Sequence, residues 1–363
     1  MTRGRFQSGF ILVLVLAMLV ILSLLAGTVA VVAQRLRDQE AARKRLEDAQ
    51  LDLESTRATV LYLLLTQRMT IGGLTVDDKV VLTEDEQAMQ RDGERALSIT
   101  PVGTEIALDS RAYAGLGGVA FSLQDDRGLL GVNWIQLPIL DRWIAQWRGV
   151  DRDMAAITYQ NLLMDYQDQD DLYRLNSAER EGYQAAGMRP PSNRTLATPL
   201  QLRAVKGWRE LLETGDDSAL LGQVTLARSP AININTASAT VLRALPGVDA
   251  DIARRLVDAR TVAPFLSDVA YYRFIGRDTG EENHVTIYPA DSGVMRLWIP
   301  GAGSVRSIHW ALTPWDDGGR PWREDYELTL PQDDSTTPPT LARPASTLFA
   351  KPVPADARRA DPA

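Results

Sequence analysis

The chain contains no cysteine. Disulfides, thiolate metal sites and thiol catalysis are therefore excluded, and an oxidising compartment is permitted without being required. Only two histidines occur, His284 and His309, too few for a histidine-rich zinc site, and no serine lies in a Gly-x-Ser-x-Gly setting that would supply a catalytic triad. A P-loop is missing, as is a Gly-x-Gly-x-x-Gly turn after a strand. The expectation is that this is not an enzyme. Positive charge is also short: the net charge is -8 over 363 residues, which opposes a general affinity for nucleic acid or anionic lipid. Long hydrophobic runs are limited to one, from Phe10 to Ala33, and no tandem repeat is visible.

That one run is long enough to cross about 30 Å of hydrocarbon as a helix. It exceeds the ~7–15 residues of a secretory h-region, and Arg3 and Arg5 at its start are expected to stay in the cytoplasm. Residues 34–363 then lie on the other side. From Leu36 to Gln67 there is neither glycine nor proline, and most residues are good helix formers. A single helix from Phe10 to about Gln67 would extend roughly 87 Å. Leu46, Ala49, Leu53, Val60, Leu61 and Leu64 recur at helical spacing along its outer half, so one face is expected to pack on a globular head.

A short basic leader ending in Gly9, then Phe10, then a long helix with an apolar first half resembles the class III signal of type IV pilins and pseudopilins. The resemblance implies that a prepilin peptidase cuts between Gly9 and Phe10 and that Phe10 is N-methylated. Most members carry Glu at the fifth mature position, where this chain has Leu14. A carboxylate in hydrocarbon is tolerable only when paired, so a subunit without it needs no neighbour above. Such a subunit suits a filament tip.

The remainder divides by pattern. Residues 68–136 read as the first part of an α/β head, with strands near Val119–Leu123 and Leu129–Trp134 joined by a turn at Asp125–Gly128. Residues 137–284 show spaced apolar positions typical of helices, including "PLQLRAVKGWRELLET". Residues 285–331 return to strand-like alternation and are expected to complete one antiparallel sheet. The stretch 332–363, rich in Pro, Ala, Thr and Arg, is expected to be disordered.

Two constellations could carry chemistry. In "MDYQDQDDLYRLNSAERE", Asp165, Asp168, Asp170, Asp171 and Glu179 crowd together; hard oxygen ligands at such density suit calcium, although the spacing departs from an EF-hand at Leu172 and Tyr173. A solvated acidic loop is the plain alternative. The stretch 232–277 looks like a helix-hairpin-helix, a module that elsewhere holds nucleic-acid phosphate on backbone amides. Its turn keeps Gly247 but has Asp249 at the second glycine position, and a carboxylate there would repel phosphate.

Taken in order, these features resemble minor pseudopilin K of type II secretion systems, the general secretion pathway protein K family. The residues that carry the resemblance are "LQDDRGLLGVNW" at Leu123–Trp134, Tyr166, Asp168 and Asp170 in "YQDQDD", Glu179 and Tyr183, then Pro191, Asn193 and Leu202, and the Asn-x-Asn-Thr-Ala motif Asn233, Asn235, Thr236, Ala237. Residues 1–300 are mostly covered. The resemblance implies an α+β pseudopilin fold, with a long N-terminal transmembrane helix packed on an antiparallel sheet and a large inserted α-helical domain. It implies structural calcium held by Asp168, Asp170 and Glu179, with Asp165 and Asp171 as further ligands. It also implies a single-pass inner-membrane protein with a periplasmic head, initiating or capping the secretion filament. Its implied partners are the I and J minor pseudopilins, the major pseudopilin, the prepilin peptidase and the inner-membrane assembly platform. Two other readings stand beside it: a membrane-anchored periplasmic DNA-binding protein using the helix-hairpin-helix, and an anchored hydrolase using Asp168 and Glu179 with a metal.

Overall fold

The structure is a computed structural model; it describes residues 8–84, 87, 98–134, 136–149, 156–213, 215–229, 231–277, 284–314, 316, 319–332 and 340–350. Most of the leader lies outside them. The chain divides into two compact units, Met1–Glu54 and Ser55–Ala363, and helix α1 (Ser8–Thr66) belongs to both.

In the first unit α1 is sustained by its own backbone ladder, supplemented by Ser23 Oγ donating to the Leu19 carbonyl at 2.7 Å and Thr28 Oγ1 to that of Leu25 at 2.8 Å. Its large apolar side chains from Leu12 to Val32 are exposed on every side, a surface that water would disfavour and hydrocarbon accept. This is a helix long and apolar enough to cross a membrane. Beyond it Arg43 pairs with Glu40 and Glu47 on the surface. Leu46, expected on the packing face, is 73% exposed.

In the second unit α1 continues with a buried stripe of Thr56, Val60, Leu61, Leu63 and Leu64. Thr56 Oγ1 accepts the Leu116 backbone N–H at 3.0 Å, and Arg57 pairs with Glu324. Packing on the head thus starts about ten residues later than the leucine spacing suggested, because an apolar stripe marks a face without marking how far the partner reaches.

Two short strands, β1 (Met69–Thr70) and β2 (Gly73–Leu74), pair antiparallel at the start of the head, and the five-stranded sheet that follows is antiparallel throughout. Strands β3 (Asp109–Ala114), β4 (Ala120–Asp125), β9 (Ser292–Trp298), β10 (Ser304–Leu312) and β11 (Trp322–Pro331) stand in the order β11-β10-β9-β4-β3. Cross-strand register puts Phe121 opposite Leu297, Leu123 opposite Met295 and Met295 opposite Ile308, so alternation gathers a fully buried apolar face. Gly293 serves this face: a Cβ there would lie 2.2 Å from the Gln124 carbonyl oxygen and 3.0 Å from the Trp310 ring. The opposite face is polar, carrying Ser122, Gln124, Arg296, Ser307 and His309 in register.

Between β4 and β9 the chain makes the inserted domain. It holds α2 (Leu137–Trp147), α3 (Ala156–Gln167), α4 (Arg180–Ala185), α5 (Trp208–Leu211), α6 (Asp217–Leu221), α7 (Ala239–Leu242), α8 (Ala250–Val262) and α9 (Asp268–Phe274). Its core is built on Trp143, Trp208 and Tyr183, all fully buried. The two indoles lie 6.1 Å apart, and each N–H finds an acceptor: Gln223 Oε1 at 2.9 Å and the Tyr159 carbonyl at 3.0 Å.

Four expectations need correction. The strands around Asp125–Gly128 do not form a hairpin: a 3₁₀ turn at Asp126–Gly128 leads into β5 (Leu130–Gly131), which pairs in parallel with β6 (Val224–Thr225) inside the insertion. The sheet resumes at Ser292 rather than at residue 285, since β8 (Val285–Thr286) pairs with β7 (Ile232–Asn233) of the insertion. The stretch "PLQLRAVKGWRELLET" is not one helix; a 3₁₀ turn over Pro199–Ala204 ends before Gly207, whose φ of 78° only glycine adopts cheaply, and α5 starts after it. Finally, residues 340–350 are folded. The Ala114 N–H donates to the Ala342 carbonyl at 2.8 Å, and Phe349, 1% exposed, stacks on Phe121 at 5.3 Å. One large aromatic with a waiting pocket outweighs a disorder-prone composition. The α+β class, the long helix, the antiparallel sheet and the helical insertion all stand as expected.

Candidate metal centre

The acidic cluster is made by the end of α3, the loop after it and the start of α4. Asp165 lies in the last turn of α3 and Asp168 just past its end; a separation of three residues puts both on one side of the helix. Glu179 is the N-cap residue of α4, yet its side chain caps nothing. The helices are held in this relation by Tyr166 and Tyr183, whose rings are 6.1 Å apart. The Tyr183 oxygen accepts the Lys206 N–H at 2.9 Å, and burial raises its pKa to about 12.

Each of Asp165, Asp168 and Glu179 has a carboxylate oxygen within 4.8 Å of the other two. Asp165 is 0% exposed and Glu179 1%. Arg174 neutralises part of this charge: its guanidinium contacts Asp165 and Asp168, and its backbone N–H donates to Asp165 Oδ2 at 2.9 Å. Glu179 is left out. Both its oxygens and Asp168 Oδ1 are buried with no hydrogen-bond partner among the described residues. Burial, and after it the negative charge of Asp165, Asp168, Asp171 and Asp170, pushes the Glu179 carboxyl up to about 7. Orphaned, hard, anionic oxygens in such a pocket fit a divalent cation of the calcium kind.

Of the five acids singled out in sequence, the structure brings Asp165, Asp168 and Glu179 together. Asp165, expected as a further ligand, is central. Asp170 and Asp171 are exposed; Asp170 Oδ1 accepts the Leu172 N–H at 2.9 Å and Asp171 faces Asn193 Nδ2 at 3.4 Å. Charge density located the cluster, but only the helix phase of Asp165 tells which carboxylates turn inward. Gly9 and Phe10 lie in the first turns of α1, their side chains outside the described residues, and Leu14 is exposed on the apolar helix.

A second polar centre was missed. Asp125 and Asp126 sit where β4 enters the insertion, both buried. Asp125 Oδ2 accepts from Asn233 Nδ2 at 2.9 Å and Thr236 Oγ1 at 2.8 Å, and Oδ1 from the Ala290 and Arg127 N–H groups at 2.8 and 3.0 Å. Burial raises the Asp125 pKa to about 6 despite these bonds. Asp126 accepts from Thr225 Oγ1 at 2.8 Å and from Ser292 Oγ, and lies 2.9 Å from His309 Nε2. His309 Nδ1 is 2.9 Å from Asp325 on β11. Burial alone would lower the His309 pKa; the two carboxylates reverse this and hold it at about 9, so at neutral pH an imidazolium sits between two anions. This is a latch between sheet and insertion. The signal was available in "QDD" and "NINTA", which are polar runs inside buried segments.

The hairpin of α7 and α8 is as expected, with Gly247 at φ 78° in its turn. Asp249 Oδ1 accepts the Ile252 N–H at 2.8 Å. An amide that could face phosphate is thereby occupied by the chain's own carboxylate.

The molecule described so far has one helix long and apolar enough to cross a membrane and an α+β head split by a helical insertion. Residues 232–270, which include the Asn-x-Asn-Thr-Ala latch and the helical hairpin, match the family model described as type II secretion system (T2SS), protein K. Over that segment the chain is similar to the family that its ordered motifs resemble. No curated protein sequence matches it. Among solved structures it is similar to a chain in the crystal structure of the GspK-GspI-GspJ complex from the type 2 secretion system of enterotoxigenic Escherichia coli. The identity is 13% and the TM-score 0.42, with 82% of this chain and 100% of that one covered.

Proposed function

We propose that this protein is a minor pseudopilin of a type II secretion system, the K subunit, working as an assembly part rather than as an enzyme. The observation that carries the reading is the family match at residues 232–270, located in the segment that latches the insertion to the sheet. The exposed apolar helix supports a single-pass anchor in the inner membrane, with the head in the periplasm. Leu14, placed where a carboxylate would otherwise seek a neighbour's amino terminus, supports a position at the filament tip, next to the I and J minor pseudopilins and above the major pseudopilin. Calcium, held by Asp165, Asp168 and Glu179, would fix the loop between α3 and α4.

Intact mass and N-terminal sequencing of the protein made with and without a prepilin peptidase test the class: a product beginning at methylated Phe10 is expected. An uncut chain, or one cut near Ala30–Ala33, would remove the pseudopilin reading.

A further inference from the structure

Among the described residues, two cations on the polar face of the sheet are largely withdrawn from water, His309 and Arg296, and only the first is matched. His309 lies between Asp126 and Asp325. Arg296, on the neighbouring central strand, stands in register between Ser122 and Ser307. Among the described residues its guanidinium makes no ion pair, and its Nε is buried without a hydrogen-bond partner. Burial pushes its pKa down, with the Tyr326 hydroxyl opposing. A guanidinium withdrawn from water this far is ordinarily met by a carboxylate.

Arg296 borders a cavity of about 430 Å³ whose walls include Ser122, Ser218, Trp298, Val305 and Pro331. The Ser110 hydroxyl is committed to Gln124 Oε1 at 2.7 Å. One acid borders the same space: Asp216 caps α6 by accepting the Ala219 N–H at 2.7 Å and leaves Arg296 unpaired. The arrangement is a planar cation flanked by serines on both neighbouring strands, bordering a cavity that also has apolar walls. A bare inorganic anion would satisfy the charge and waste the walls. A carboxylate attached to an apolar body satisfies both, since the guanidinium fork matches two carboxylate oxygens.

We propose that this cavity is a carboxylate-binding site, in which Arg296 grips the acid group and Trp298, Val305 and Pro331 receive the apolar part next to it. The carboxylate comes from a free organic acid or from the end of a protein chain.

The experiment is thermal unfolding of the full chain in detergent micelles at constant ionic strength. Benzoate is compared with benzamide, and N-acetylphenylalanine, which mimics a chain end, with its amide. A saturable rise in the midpoint with the acids and not with the amides is expected. Arg296→Met should abolish that response while raising the ligand-free midpoint, because a half-buried unpaired charge is gone. Asp216→Asn keeps a capping side chain and removes a like charge, so affinity should tighten about fivefold. Tighter saturation by N-acetylphenylalanine than by benzoate assigns the site to a chain end, and the reverse to a free acid. Equal action of acids and amides, an unchanged response in Arg296→Met, or unchanged affinity in Asp216→Asn would each overturn the proposal. None of these outcomes bears on N-terminal processing, which tests the secretion reading separately.

Discussion

The two buried carboxylate clusters of the head differ in one respect: who neutralises them. At Asp125 and Asp126 the chain supplies everything, with six named donors and an imidazolium. At Glu179 no described residue supplies a donor, and Arg174 serves the two aspartates beside it. A cluster closed by its own chain is a fastening. One left open is a socket, since burying an unmatched charge is tolerated only where something else completes it.

The contrast can be broken hardest at the closed end. Asp125→Ala leaves the donors of Asn233, Thr236, Ala290 and Arg127 without an acceptor, and we expect a loss of about 4 kcal/mol in urea unfolding. A loss under 1 kcal/mol would mean that the latch is decoration. The pH dependence comes next. The His309 pKa of about 9 in the folded chain exceeds the ordinary 6.5. Its contribution is therefore complete below pH 6.5 and disappears as pH rises through 9, a decline of roughly 3 kcal/mol that His309→Gln should flatten.

The open end is sharpened by calcium. At a hundredfold excess over its dissociation constant, calcium should raise the stability of the full chain by about 2.7 kcal/mol. In Glu179→Gln that rise should vanish while the calcium-free midpoint holds or increases; a retained calcium response would remove Glu179 from the site. Arg174→Ala should cost under about 1 kcal/mol without calcium, and less with it, because the cation takes over the neutralising role. The smallest effect is expected at the apolar helix: Leu14→Glu should leave cleavage after Gly9 unchanged by mass spectrometry.

Periodicity carried most of the fold from sequence. The helix from Ser8 to Thr66, the strands from Ser292 to Pro331 and helices α2, α3 and α8 all follow from apolar spacing. What it could not carry was pairing. Leu129–Trp134 looks like the second arm of a hairpin, yet β5 finds its partner about a hundred residues away at Val224. The candidate site was legible as a loop and not as a geometry: Asp170 and Asp165 look equivalent in a string of acids, and only the phase of α3 separates them. Asp125 and His309 stayed hidden because a buried polar residue in a strand carries no mark of the partner that makes it tolerable.

The tail clasped to β3 has one more consequence. A sheet with open margins can grow by accepting a strand from a neighbour, and here both margins are guarded. The Ala342 bridge to Tyr113 occupies one, and the other, β11, presents Arg323, Glu324, Asp325 and Glu327. Strand addition at either margin is thereby disfavoured, so a molecule with a long, well-ordered sheet carries little risk of seeding a fibre.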